Sequence, residues 1–378
     1  AGLKAVESGP LMDQWVQPTE TEKVAQALDL FSFTSSHTRR LGKEYFGQEL
    51  DVQYSSSGMT FPVLPVEMRS APVMATDLHS ITQSPKAQTR PKESKSTKPQ
   101  SLQATLHVVA VGINEYAQSS MNLRYAAPDA EAISELLVSR GQELFENVSV
   151  NTLLNEEATR VRILQTLQAV GDIAKPNDTL AIFFAGHGAM VGQRYYFVPH
   201  EFDNSESNLA DESLRAQGVP ADELGDAIAK IPALNRLLVF DTCASGGAIH
   251  LSTQGADPFA FRGAIEQLGK EGGTFTLAAV SSDAEAQEIK ELGHGILSYC
   301  LLAGGGAIHA GPLLDRSLKP ASGDSADVLE WFSYAAGNVP RVSRQYSGKE
   351  QHVQLGGTGK AFPILRVMPL PTDKVIQE

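Results

Sequence analysis

With 378 residues, 42% hydrophobic and 20% charged, the chain has the make-up of an ordinary globular protein, long enough for one large α/β domain and something smaller beside it. A net charge of −13 argues against nucleic acid as the main partner, because phosphate binding needs a basic footprint; basic peptides remain as ligands that an acidic surface attracts. Two cysteines, Cys243 and Cys300, speak against a disulfide framework, and there is no apolar run of 18 residues and no signal-peptide pattern. The expectation is a cytoplasmic protein without membrane contact, although the start at Ala1 rather than Met leaves a leader ahead of it open.

Residues 1–83 form an N-terminal region without a chemical motif. Thr19 to Phe31 has helical spacing at Val24, Leu28 and Phe31, with acids in the first turn, and predicts a helix. FPVLPVEM (61–68), with two prolines, predicts an edge strand or extended arm. Residues 84–104 are rich in Pro, Ser, Lys and Gln, and five basic residues there face one acid, Glu93. Such a segment buries too little apolar surface to offset the entropy of ordering it, and predicts a basic linker.

From Thr105 to the end, strand and helix alternate. Strands are predicted at 105–113, 147–154, 181–188, 237–247 and 273–280, and helices at 128–140, 159–174, 222–230, 295–302 and 331–342. QHVQL and AFPILRV predict closing strands. Repeated βα units imply a mostly parallel sheet with helices on both faces.

Two strands end in chemistry. AIFFAGHG (181–188) carries His187 between Gly186 and Gly188, and LLVFDTCASGG (237–247) carries Cys243 beside Asp241 and a run of small residues. Continuous apolar runs bounded by Gly and Ser read as buried parallel strands, whose carboxyl ends hold the reactive groups of open α/β sheets. Adjacent strand ends set an imidazole beside a thiol, as a cysteine nucleophile and its base require. Cys300, inside an apolar helix, is expected in the core, and His294, at the start of that helix, is expected as a cap or turn residue. No metal-ligand spacing is present.

The strand-plus-GHG segment followed 56 residues later by DTCASG resembles the caspase-like cysteine peptidases, and more closely their metacaspase and bacterial orthocaspase branch. LRYAAPDAEAISELL (123–137) resembles that branch's NDA segment, and HGILSYCLLAGG (294–305) its HG-F-x-Y-x-LL helix. The resemblance covers roughly 105–368. It implies a caspase-hemoglobinase fold with a mostly parallel six-stranded sheet, a peptidase domain over 105–378, and a regulatory or pro-region over 1–83 that offers a surface to a regulatory partner. It implies Cys243 as nucleophile and His187 as base and acid, with the N–H groups of Gly188 and Cys243 stabilising the oxyanion. Asp129 and Asp241 are implied to line the pocket for the residue before the scissile bond, with Ser281 and Ser282 on its far wall. Two carboxylates there suit Arg or Lys, so a protein or peptide substrate with a basic residue is expected. Arg262, followed by Gly263, and Lys270 are then candidate self-cleavage sites.

Two departures from the branch stand out. Ala185 replaces the common Ser before GHG, and the run ASGGAIHLSTQG lacks the acid of many calcium-dependent members. No cofactor is therefore expected; Asp203, Glu206, Asp211 and Glu212 are the acidic loop residues on which calcium activation would have to rest. The competing readings are a helix-start role for Asp129, a structural role for Asp241, a catalytically silent scaffolding module, and a protease of this fold with aspartate or other specificity.

Overall fold

The computed structural model describes residues 102–204, 210–243, 258–268, 272–280, 288–320, 323–348 and 351–367, with short strands at 24–26, 53–59 and 62–65 and the isolated positions Thr34, His37, Thr38 and Leu41. The main sheet consists of β1 (Gln53–Met59), β2 (Leu102–Gly112), β3 (Phe145–Leu154), β4 (Thr179–Val191), β5 (Arg194–Phe197), β6 (Asn235–Cys243), β7 (Thr274–Val280) and β8 (His352–Lys360), besides the short strand Val219–Pro220 paired with β5. The helices are α1 (Ala126–Gly141), α2 (Arg160–Ile173), α3 (Ala210–Gln217), α4 (Ala221–Ala229), α5 (Pro258–Leu268), α6 (Ile296–Gly304) and α7 (Val328–Ser347).

The strand order is β1-β8-β7-β6-β4-β2-β3, with β5 folded back on the end of β4. Strands β3, β2, β4, β6 and β7 are mutually parallel and β8 runs antiparallel, which is the six-stranded, mostly parallel sheet expected from Thr105 onward. Beyond it, β1 pairs antiparallel with β8, so a strand from the first 83 residues completes that edge. Strand β2 begins at Leu102, inside the segment expected as linker, with an irregularity between Leu102 and Thr105.

One expectation fails. Val24–Gln26, predicted helical, is a strand paired antiparallel with Pro62–Pro65, Val24 opposite Pro65. Three apolar residues at helical spacing give a weak local preference, and a non-local ladder with a β-branched residue outweighs it. The partner runs as the edge strand its prolines called for, since a two-stranded ladder leaves one side open to residues without an N–H.

Side chains alternate between two cores. Leu106, Val108, Ala181, Phe183, Leu237, Val239, Phe275 and Leu277 pack beneath α1, α6 and α7. Val109, Val111, Leu180, Ile182, Phe184, Leu238 and Phe240 pack on the opposite face beneath α2, α4 and α5. Every residue of β4 is buried, which is why it reads as an unbroken apolar run rather than an alternating one. Helix α7 is fixed at its start by a capping box: Asp327 accepts from the Glu330 amide and Glu330 from the Asp327 amide, both at 2.9 Å. Among the described residues no helix is long and apolar enough to cross a membrane.

Phe240 lies directly below the chemistry-bearing end of β6, stacked on Phe184 at 5.4 Å between ring centres and edge-on to Tyr195. Phe240→Ala is expected to lower the unfolding free energy by about 3–5 kcal/mol in urea denaturation, because a fully buried ring is lost and a cavity remains.

Candidate active site

The register between β4 and β6 brings the two motifs together. Ala185 is opposite Asp241, Gly186 opposite Thr242, and His187 opposite Cys243. Hydrogen-bonded neighbours in a sheet lie about 4.8 Å apart, so the backbone sets residues 187 and 243 side by side at the carboxyl ends of their strands. The side chain of Cys243 lies outside the described residues.

His187 is buried, 7% exposed. Its Nε2 donates to the carbonyl oxygen of Met121 at 2.7 Å, which assigns the ring proton to Nε2 and leaves the Nδ1 lone pair. The His187 amide donates to Tyr116 Oη at 2.8 Å, and the two rings lie 5.0 Å apart. Burial lowers the imidazole pKa below its ordinary value, with the Met121 carbonyl opposing, so the ring is neutral at pH 7 and suited to act as a base. Gly186 has φ +148°, and a Cβ there would sit 2.8 Å from Tyr116 Oη; only glycine gives this bend without strain. Gly188 continues β4 opposite Phe197, closely covered by Tyr195.

Tyr116 and Met121 belong to the connection between β2 and α1. Asn155, itself at φ +47°, accepts from the amides of Asn114 and Glu115 at 2.9 and 3.1 Å. Asn114 in turn donates to Arg124 O and accepts from the Ala127 amide, each at 2.8 Å. This connection therefore runs pinned from its start to the first turn of α1.

Beside the strand ends lies a depression of about 450 Å³, counting its open mouth, lined by Asp129, Asp241 and Glu288 together with Ala185, Gly186 and Gly295. The same alternation that turns Leu237 and Val239 toward α1 and α6 turns Asp241 toward them, opposite the small Ala185. Asp241 Oδ2 accepts from the amide and hydroxyl of Ser298 at 3.1 and 2.5 Å. Asp129 accepts from His294 Nδ1 at 2.6 Å and from the Gly295 amide at 2.9 Å. Glu288 Oε1 accepts from the amides of Arg124 and Tyr125 at 2.6 and 2.7 Å. A Cβ on Gly295 would stand 2.9 Å from Asp241 Oδ2 and 3.0 Å from Asp129 Oδ2, so the absence of a side chain there lets both carboxylates share the pocket.

Burial dominates the electrostatics. Asp129, 2% exposed, is pushed up to about 7: desolvation raises it, the His294 hydrogen bond opposes, and the Asp241 charge raises it further. Burial likewise raises Asp241, against the two Ser298 bonds. Burial thus works against the charged form of both carboxyls in this pocket.

Of the residues singled out in the sequence, His187, Gly188 and the backbone of Cys243 meet on two strands, and Asp129 and Asp241 meet in the pocket beside them. Ser281, Ser282, Lys270 and Glu206 lie outside the described residues. Arg262, whose side chain is likewise undescribed, falls within α5. Cys300 is fully buried in α6, where burial raises its thiol and keeps it inert, as its place in an apolar helix suggested. His294 requires a correction. It precedes Gly295, the cap of α6, yet it is not a mere turn residue: it sits opposite Ile289 in a hairpin spanning Glu288–Gly295 and is bonded to Asp129. The contacts of Met121, Glu288 and His294 were not legible in the motifs. The Met121 contact is made by a carbonyl that every residue has, and the other two span 163 to 165 positions. Among the described residues no group of three or more His, Cys, Asp or Glu is arranged to hold a metal ion.

A family model described as the caspase domain matches residues 105–340, more than half of the chain. The chain belongs to the caspase-domain family of cysteine peptidases. Among curated proteins, Metacaspase-1A of Neurospora crassa is 27% identical over 234 residues, covering 58% of this chain and 48% of that protein. Metacaspase-1 of Eremothecium gossypii is 30% identical over 148 residues, 37% of this chain and 32% of that protein, and Metacaspase-1 of Ajellomyces capsulatus is 27% identical over 237 residues, 58% and 61%. The chain spans about half the length of the curated relatives it matches.

The raised Asp129 has a definite consequence for stability. Between its unfolded value of 3.8 and about 7, the folded protein binds a proton at this site more tightly than the unfolded chain. Its contribution therefore falls as pH rises through that window and is constant above and below it. Urea denaturation from pH 4 to 8 is expected to show this decline in the wild type and a shallower one in Asp129→Asn.

Proposed function

We propose that this chain is a cysteine endopeptidase that cleaves peptide bonds after Arg or Lys through Cys243 and His187. The observation that carries the specificity is the convergence of Asp129, Asp241 and Glu288 on one depression beside the His187 strand end. Buried carboxylates need a counter-charge, and a planar guanidinium offers paired donors that match them. Lysine fits the same charge with a less directional head.

The chemistry follows from the tautomer of His187. With Nε2–H committed to the Met121 carbonyl, Nδ1 takes the thiol proton of Cys243. The thiolate attacks the carbonyl carbon before the scissile bond, and the oxygen takes up negative charge toward the N–H groups of Gly188 and Cys243. Collapse breaks the C–N bond as the imidazolium returns its proton to the leaving amine. Water, deprotonated by the freed imidazole, then hydrolyses the thioester. The Met121 carbonyl plays the orienting part that a carboxylate plays in a triad, without adding a charge.

Self-cleavage is a further part of the proposal, at Lys270 or Arg262. The Arg262–Gly263 bond lies in α5, so its cleavage requires that helix to unwind locally to an extended strand. Residues 1–83 are the proposed contact for a regulatory partner.

Hydrolysis of matched Arg, Lys and Asp fluorogenic peptides, with calcium and with chelator, tests the reading. Cleavage after Arg or Lys is expected, abolished in Cys243→Ala and reduced about 10²–10³-fold in kcat/KM by Asp241→Asn, the scale of losing a charge-assisted contact to substrate. Cleavage after Asp alone, or none, overturns it. Intact-mass analysis of the active protein is expected to show fragments ending at Lys270 or Arg262 that Cys243→Ala lacks; identical masses throughout count against self-cleavage.

A further inference from the structure

The pocket holds a base that an acidic binding site for a cation does not need on charge grounds. His294 Nδ1 lies 2.6 Å from Asp129 Oδ1, and the neighbouring Gly295 amide lies 2.9 Å from Oδ2. Both donors come from the hairpin, and both are aimed at one carboxylate, whose charged form burial disfavours. His294 stands one step behind the lining, its side chain 22% exposed. Around it are Asp129 from α1, Asp241 from the end of β6, and Glu288 across the hairpin, with Lys290 and Glu291 in the hairpin turn. A lone cationic imidazole in this place would compete with a basic substrate, so its use has to be sought in what it does to Asp129.

We infer that His294 is a positioning residue of the specificity pocket, holding the Asp129 carboxylate aimed and ionised for the cationic head of the substrate. The inference rests on the basic specificity proposed above. A protonated Asp129 is a neutral group with one acceptor fewer and no charge to pair with a guanidinium; an ionised one accepts from two N–H groups at once. Burial and the Asp241 charge both favour the protonated form, and the His294 bond is the largest influence in the other direction. The Gly295 amide adds to it but belongs to the backbone. His294 is thus the side chain through which the fold sets the charge of Asp129 near neutral pH. A carboxylate has about four lone-pair sites, so donors from the hairpin on both oxygens still leave sites facing the cavity.

The inference separates binding from chemistry, and pH separates it from a scaffold role. KM and kcat for an Arg peptide are measured from pH 6 to 9 in the wild type, His294→Ala and His294→Asn. Without the donor, Asp129 keeps its proton to higher pH. For His294→Ala, KM near pH 7 is expected to rise roughly fivefold, because a one-unit displacement of a titration centred near 7 cuts the ionised fraction from about a half to about a tenth, to converge on the wild-type value near pH 9, and kcat is expected to stay unchanged. His294→Asn, which places an amide donor close to the Nδ1 position, is expected to restore most of the loss, and it carries the test if the alanine variant does not fold. A wild-type KM profile in both variants, a KM raised by the same factor at every pH, or a loss confined to kcat overturns the inference while leaving the specificity reading intact. Failure of the wild type to cleave after Arg or Lys at any pH overturns that reading, and the inference with it.

Discussion

The pairing of β4 with β6 fixes more of this molecule than any other contact. Because the two strands are parallel and in unbroken register, three successive rungs place Ala185 beside Asp241, Gly186 beside Thr242, and His187 beside Cys243. The two-residue period of a strand then does the sorting. It sends Asp241 to the α1 and α6 side of the sheet, while the bend at Gly186 lets the chain carry His187 under Tyr116 and Met121. A slip of one residue would exchange every inward and outward side chain on the strand. The fully buried flanks of both strands make such a slip costly, since Ile182, Phe184, Leu238 and Phe240 would have to leave their core together.

Within that frame, two opposing demands meet in the pocket. The proposed recognition of a basic residue asks for charged carboxylates close together, and burial resists charging them. The structure answers with donors placed by different parts of the chain: Ser298 from the start of α6 for Asp241, and His294 with the Gly295 amide for Asp129. Charge-assisted bonds of this kind offset desolvation without filling the space a ligand needs. Gly295 completes the arrangement by subtraction, since any side chain at that position would stand between the two carboxylates.

What the sequence disclosed follows from how each feature is encoded. The His187 and Cys243 strands were legible because buried parallel strands are continuous apolar runs. A reactive residue directly after such a run falls at a strand end, where open α/β sheets keep their chemistry. The βα alternation and the six central strands were legible in the same way. Asp129 and Asp241 were singled out through the resemblance. The individual contacts of Glu288 and His294 were not legible, because they are made with residues more than 160 positions away. The orienting partner of His187 was beyond reach of any side-chain pattern, being the backbone of Met121. Val24–Gln26 misled for the opposite reason: its local spacing was clear, but its conformation is decided by Pro62–Pro65.

One segment ties base and pocket into a unit. The connection from Ile113 to Tyr125 contributes the Met121 carbonyl and Tyr116 hydroxyl to His187, and a few residues later the Arg124 and Tyr125 amides to Glu288. It is held at one end by Asn155 and across its span by Asn114, whose side chain bridges Arg124 O and the Ala127 amide at the start of the helix that carries Asp129. Both the imidazole of His187 and the hairpin that bears Glu288 and His294 are therefore held against the same segment. The proposed substrate pocket and the His187 imidazole thus hang on one hydrogen-bonded segment, and loosening that connection is expected to affect both together.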